Sequence, residues 1–204
     1  RGGGKARWRA GSVAPSDRNM RTCTSATNCS SLTNFPNTEQ NTANATLASW
    51  IRGVNVGDRN IGSTENIQYG MSATAMRPTV HGEVVHSRPL AVNYGTSSSN
   101  DVVVFYGAGD GTLRAVNGNQ ANTDGNELWA FVAPEHFANI ERVRTNSPLI
   151  SYPNVDLDQS PTPTPKTYFF DGSIGGYQER SGDTVSKLWI YPTMRRGGSG
   201  VYAF

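Results

Sequence analysis

The sequence predicts a mainly β fold in which many short strands are joined by turns. Of the 204 residues, 78 are Gly, Ser, Thr or Asn, a composition that favours turns and disfavours long helices. Beyond residue 82, β-branched and aromatic runs recur about every ten residues, and each run is bounded by Gly, Asn, Asp or Pro. These two observations indicate antiparallel meanders, which occur in sandwiches, in barrels and in the blades of propellers.

Residues 1–46 contain few large apolar side chains and many Gly, Arg, Ser, Thr and Asn residues. We expect them to form an irregular, extended lead-in segment that cannot fold alone. Its cysteines, Cys23 and Cys29, are too few for a zinc site, so they are either free thiols or a disulfide pair. The flexible turn between them favours the disulfide, which would imply an oxidising compartment.

Residues 47–82 are expected to form a short helix followed by a loop. The helix is indicated by Leu47, Trp50 and Ile51, which lie three and four residues apart on one helical face. Gly53 marks its end, because glycine readily adopts the left-handed conformation that stops a helix.

Residues 83–204 are expected to supply the strands, with a second short helix over 134–143 and a proline-rich loop over 152–167. Asp110 and Gly111 are predicted to form a hairpin tip, because the alternating run TLRAV that follows them is typical of a strand and not of a phosphate-binding helix. The predicted strand segments are 83–95, 101–109, 111–118, 126–134, 166–176, 187–194 and 200–204.

Charge and hydropathy exclude two classes of partner. The formal net charge is +2 and no basic cluster is readable, so we expect no nucleic-acid binding. The longest apolar run, residues 102–108, is too short to cross a bilayer, so no membrane-spanning segment is expected. The sequence neither begins with methionine nor ends in a polar tail, and we expect it to be a piece of a longer polypeptide.

Three side chains of the proline-rich loop are candidate calcium ligands. Asn154, Asp156 and Asp158 alternate along the chain, as successive oxygen ligands do in calcium-binding loops. A solvated acidic loop is the competing interpretation, because Gln159 occupies the position at which an EF-hand loop has its glycine.

The histidines form no recognisable catalytic or metal-binding motif. His81 and His86 are five residues apart, which places them on opposite faces of a strand, one packed and one exposed. His136 is expected to be a structural residue of the second helix, and Asp171 a turn former. We therefore expect a protein that is not an enzyme.

Six segments in a fixed order carry a family resemblance. They read TLASWIRGVNV, VVHSRPLAVNYG, VVVFYGAGDGTLRAVNG, GNELWAFVAPE, YFFDGSIGG and KLWIYPTMRRGGSGVYAF. In this order, over residues 47–204, they resemble the C-terminal domain of the PilY1/PilC family of type IV pilus proteins. The resemblance implies a partial modified β-propeller with quinoprotein-like blades, of which residues 83–204 supply the first two to three.

The same resemblance implies export to the cell surface, at the pilus tip or outer membrane, and a function in pilus biogenesis and adhesion. Its implied partners are minor pilins and a host or abiotic surface. Some family members bind calcium in a D-x-D-x-[DN] loop, which normally follows the GVYAF segment and is not carried over to this chain. No organic cofactor is implied.

Two other functions stay open. A quinoprotein-like redox enzyme would need a repeated tryptophan-bearing blade motif, of which AVNG…GNELW is one clear copy. A carbohydrate-binding propeller would need aromatic platforms on loops, which the sequence does not reveal.

Overall fold

The computed structural model describes residues 13–54, 56, 76–77, 80–119, 125–151 and 158–204. The strands are β1 (Met20–Ser25), β2 (Asn28–Asn34), β3 (Leu90–Asn93), β4 (Val102–Gly107), β5 (Thr112–Asn117), β6 (Glu127–Val132), β7 (Ile174–Ser181) and β8 (Thr184–Pro192). The helices are α1 (Thr38–Arg52) and α2 (Pro134–Thr145), and short 3-10 turns lie at Pro15–Asp17 and Arg195–Gly197. The prediction of a mainly β fold with short helices is confirmed.

Six of these strands form one open mixed sheet in the order β2-β1-β6-β5-β4-β3. Strands β3 to β6 pair antiparallel with their neighbours in sequence and so form the predicted meander. Strand β1 lies parallel to β6, through Met20 opposite Ala130 and Arg21 opposite Phe131. Strands β7 and β8 form a separate antiparallel hairpin. The described part of the chain contains no closed barrel and no closed propeller, so the propeller stays a prediction.

The turn between β4 and β5 has the predicted position. The backbone N of Ala108 donates to the carbonyl of Thr112 at 2.9 Å, which closes the turn over Asp110 and Gly111. Gly111 has φ of 88°, a left-handed conformation that glycine adopts without steric cost.

Helix α1 is bounded by caps at both ends. The side chain of Asn37 accepts a hydrogen bond from the backbone N of Gln40, and the Gln40 side chain accepts one from the backbone N of Asn37. The helix is kinked at Asn44, whose side chain accepts from the backbone N of Leu47, and Gly53 ends it with φ of 109°. The predicted helix is confirmed, although it begins directly after Asn37. None of the described helices is both long and apolar enough to cross a membrane.

The described part of the lead-in segment, residues 13–46, is not irregular, contrary to the prediction. Residues 20–34 form the β1–β2 hairpin at the edge of the main sheet. Met20, Thr22 and Cys23 are buried, and the Thr22 hydroxyl donates to the carbonyl of Val132 at 2.9 Å. The composition suggested otherwise because β1 is buried largely by β6 and α2, which lie far along the chain.

Three predicted strand segments differ in extent. Only Leu90–Asn93 of segment 83–95 is a strand, and residues 166–173 form none, because β7 begins at Ile174. The segment 200–204 is not a regular strand, but it follows β8: Phe204 and Ile190 exchange two backbone hydrogen bonds, of 3.0 and 3.1 Å.

The core lies on both faces of the main sheet. Alternate residues of a strand point to opposite faces, so Ala130 and Val132 pack towards the helices while Phe131 packs towards the β7–β8 hairpin. The helix-side cluster contains Met20, Phe35, Leu47, Ala48, Trp50, Ile51, Ala130, Val132, Phe137, Ile140 and Phe169. The hairpin-side cluster contains Cys23, Val92, Phe105, Leu113, Ala115, Phe131, Ala133, Phe170, Ile174, Val185, Ile190 and Met194.

Candidate functional site

A buried network of charges connects the main sheet to the segments around it. Arg18 binds Glu127 at 2.8 Å, and Arg114 contacts both Glu127 and Asp110. All four side chains are at most 5 % exposed. The two arginines balance the two carboxylates, which is the condition under which charges are tolerated in a protein interior.

The network holds its groups in their charged forms. Burial by itself would raise the pKa of Asp110, but the charge of Arg114, together with further contributions that include hydrogen bonds from Thr112 and Arg114, outweighs it and holds that pKa well below its usual range. Asp110 also accepts hydrogen bonds from the Thr112 hydroxyl, at 2.6 Å, and from the backbone N of Gly82, at 3.1 Å. The network therefore holds the β4–β5 turn against the segment before β3. Because its ionised side chains are paired with one another in the interior, we interpret it as a structural ion-pair network.

His81 and His86 have separate partners. The Nε2 atom of His81 lies 2.7 Å from the hydroxyl of Tyr106. Burial, followed by the charge of Arg114, lowers the pKa of His81, and burial raises the pKa of Tyr106 to about 12. His81 is therefore neutral at pH values near 7. Both histidines are half-buried, so the expectation of one packed and one exposed ring is wrong.

His86 is hydrogen-bonded to Asp171 from the segment before β7. Its Nδ1 atom lies 3.0 and 2.9 Å from the two carboxylate oxygens, and the Asp171 side chain is 8 % exposed. The His86 ring is 31 % exposed and lies 6.0 Å from the ring of Tyr168, measured between centroids. Asp171 was predicted only as a turn former, because its partner is 85 residues away and no local pattern joins the two.

The His86–Asp171 pair borders a cleft of about 510 Å³, which we call the β3–β7 cleft. Its lining residues are Val85, His86, Ser87, Arg88, Gly172, Ser173 and Arg195. Arg88 and Ser173 both line it and form a parallel β-bridge just before β3 and β7 begin. The cleft thus collects an imidazole and two arginines from two separate segments, 85–88 and the turn at Arg195.

The β7–β8 hairpin presents an aromatic face to solvent. Tyr177 lies opposite Trp189 and Gly175 opposite Tyr191, so the three rings share one face, while Ile190 enters the core from the other. Tyr177 is 58 % exposed and Tyr191 is 39 % exposed. The rings of Tyr177 and Trp189 lie 5.6 Å apart between centroids. Gly175 adds no side chain that would cover this face.

His136 is buried on α2 between aromatic rings. Its ring lies 5.2 Å from that of Phe169 and 4.9 Å from that of Phe170, both in edge-on geometry. Burial lowers the pKa of His136 to about 4, so the ring is neutral at pH values near 7. This placement agrees with a structural histidine.

The other predicted site residues lie in different regions. Cys23 and Cys29 are joined by a disulfide in the β1–β2 hairpin. Asn154 and Asp156 lie outside the described residues, and Asp158 is exposed. Within the described ranges, no group of three or more His, Cys, Asp or Glu side chains could hold a metal ion. Calcium binding by these three residues stays a prediction.

Comparisons with protein-family models, with curated proteins and with solved structures give no match. The resemblance to the PilY1/PilC family therefore stays a prediction. We therefore interpret the cleft, the aromatic face and the charge network from the residues of this chain alone.

Proposed function

We propose that this chain is a binding and assembly module of the type IV pilus system, displayed outside the cell, and that it acts through its surfaces and not by catalysis. The observation that carries the proposal is the way in which the β3–β6 meander and the β7–β8 hairpin are aligned. Strands β3 to β6 form a four-stranded antiparallel meander, and the hairpin β7–β8 begins parallel to β3 at the Arg88–Ser173 bridge. Neighbouring propeller blades have this relation, because their inner strands run side by side around the axis.

The C-terminal residues of the chain extend the second meander. Phe204 pairs with Ile190 and Val201 with Thr193, so this segment lies along β8 as a third strand would. An antiparallel unit that adds strands in sequence order supports the blade-like arrangement that the PilY1/PilC resemblance implies.

The aromatic face of the β7–β8 hairpin supports a function in protein binding. Protein interfaces are enriched in tyrosine and tryptophan, and Tyr177, Trp189 and Tyr191 lie together on one face. We propose that a minor pilin packs on this face. The Cys23–Cys29 disulfide supports a location outside the cytoplasm, because disulfides persist in oxidising compartments.

The proposal is tested by measuring binding of the purified chain to each purified minor pilin of the same organism by surface plasmon resonance. We expect saturable binding to at least one of them, which the double variant Tyr177→Ser/Tyr191→Ser weakens by about tenfold or more. Leu32→Ser, which removes an exposed apolar side chain on β2, is the matched control and should leave the affinity unchanged.

Two results would count against this function. The first is that no minor pilin binds the wild-type chain. The second is a cofactor absorbance band together with dye-linked turnover, which would favour the quinoprotein-like redox enzyme.

A further inference from the structure

We infer that the β3–β7 cleft binds an oxyanion, carried by its ligand as a carboxylate or a phosphate group. The ligand would be held by Arg88 and Arg195, with His86 as a third donor. This inference does not depend on the pilus function, because it rests on the charges and the hydrogen bonds of the cleft.

The first argument is the unbalanced charge of the cleft. Among the described residues, neither Arg88 nor Arg195 has an ion pair or a side-chain hydrogen bond, and both are exposed. The nearby acidic groups already have partners: Asp171 binds His86, and Glu83 contacts Lys166. Neither guanidinium group is therefore engaged by an acidic side chain, which leaves both available to an anion.

The second argument is the chemistry of the donors. A guanidinium group presents a planar fork of N–H donors that matches the two oxygens of a carboxylate or a phosphate. Two such groups from Arg88 and Arg195 line one cleft of about 510 Å³, which has room for a small acidic ligand or for the acidic group of a larger one.

The third argument is the orientation of His86. Its Nδ1 atom is held by both carboxylate oxygens of Asp171, so Nε2 is the nitrogen left for a ligand. In the protonated imidazole both nitrogens donate, so Nε2 can serve a bound oxyanion while Nδ1 serves Asp171. The contact with Asp171 thus holds the His86 ring in this orientation.

The experiment titrates the full chain, labelled with ¹⁵N, with inorganic phosphate and separately with glucuronate at constant ionic strength set by chloride. We expect saturable changes in amide chemical shift, measured by NMR, for at least one probe. These changes should be confined to residues 85–88, 171–173 and 195. Shifts with phosphate alone identify a phosphate ligand, shifts with glucuronate alone identify a carboxylate, and shifts with both indicate a general oxyanion site.

Two variants test the arginines. Arg88→Gln removes one guanidinium, and Arg195→Asn removes the other with a residue that tolerates the left-handed conformation of position 195, where φ is 50°. Each should raise the dissociation constant about tenfold or more. Arg180→Gln, on the distal end of β7, is the control and should leave it unchanged.

The inference is overturned if neither probe gives saturable shifts in the wild-type chain, or if the shifts lie outside the cleft. It is equally overturned if Arg88→Gln and Arg195→Asn both bind with the affinity of the wild type. The chemical-shift changes are measured on the wild-type chain, so they show whether the cleft binds an oxyanion even if a variant fails to fold.

Discussion

Arg88 and Ser173 form a parallel β-bridge that places the beginnings of β3 and β7 side by side. These residues are 85 positions apart, so the contact joins the four-stranded meander to the hairpin that follows it in sequence. The bridge also brings Asp171 to His86. The cleft and the alignment of the two meanders therefore depend on the same contact.

The buried charge network is predicted to be essential for stability. Arg114→Met should lower the free energy of unfolding by about 3–5 kcal/mol, because it leaves the Asp110 carboxylate buried without its main counter-charge. Lys187→Met is the control, since it removes an exposed ion pair with Glu179 and should cost less than about 1 kcal/mol. Urea denaturation of both variants checks this. Equal decreases in the free energy of unfolding would mean that the network stabilises the fold no more than an exposed ion pair does.

The β4–β5 turn is predicted to need glycine for two reasons. A Cβ at Gly111 would lie 2.3 Å from the Ile140 side chain, and φ there is 88°. Gly111→Ala should therefore destabilise the chain by more than the roughly 1–2 kcal/mol that the left-handed backbone alone costs.

Gly182 at the tip of the β7–β8 hairpin provides the control for that substitution. Its φ is 58°, but a Cβ there would meet nothing within 4 Å. Gly182→Ala should cost only about 1–2 kcal/mol. Thermal unfolding of the two variants separates the cost of the left-handed backbone from the cost of the contact with Ile140. Similar losses of stability would show that the Ile140 side chain moves aside without cost.

Acid is predicted to destabilise the chain through His136. The unfolded ring has a pKa of about 6.5, whereas burial lowers the pKa in the folded chain to about 4. The unfolded state therefore takes up a proton first, and stability is lost as the pH falls from about 6.5 towards 4. Between about pH 7 and about pH 5, the wild type should lose about 2 kcal/mol more than His136→Gln does. Parallel pH dependences of the two proteins, measured by urea denaturation, would refute this.

The disulfide is predicted to stabilise the β1–β2 hairpin. Cys29→Ser should lower the free energy of unfolding by about 2 kcal/mol, the value expected for closing a loop with a sequence separation of 6. A reductant should have the same effect on the wild type and no further effect on the variant. If the reductant leaves the unfolding curve of the wild type unchanged, the bond does not stabilise this hairpin.

Local patterns predicted the features that depend on neighbouring residues. The spacing of Leu47, Trp50 and Ile51 predicted α1, and the Asp110–Gly111 pair predicted the turn between β4 and β5. Such features can be read from sequence because they rest on helical periodicity and on the conformational freedom of glycine.

Features that depend on distant partners could not be predicted. The polar strand β1 is buried only because β6 and the helices cover it. His86 pairs with Asp171, which is 85 positions away in sequence. Arg18 pairs with Glu127, which is 109 positions away. The available signal was an ionisable residue inside an apolar run, such as Arg114 in TLRAV or Glu127 in NELWAF, which indicates a buried counter-charge but not its identity.

The central claim, that the chain acts in type IV pilus assembly and adhesion, is tested most directly in the organism that encodes it. The gene is deleted, and surface pili, twitching motility and attachment are scored before and after it is restored. Loss of piliation or of attachment on deletion, with recovery on restoration, is the predicted result. Unchanged piliation, motility and attachment in the deletion strain would contradict the claim.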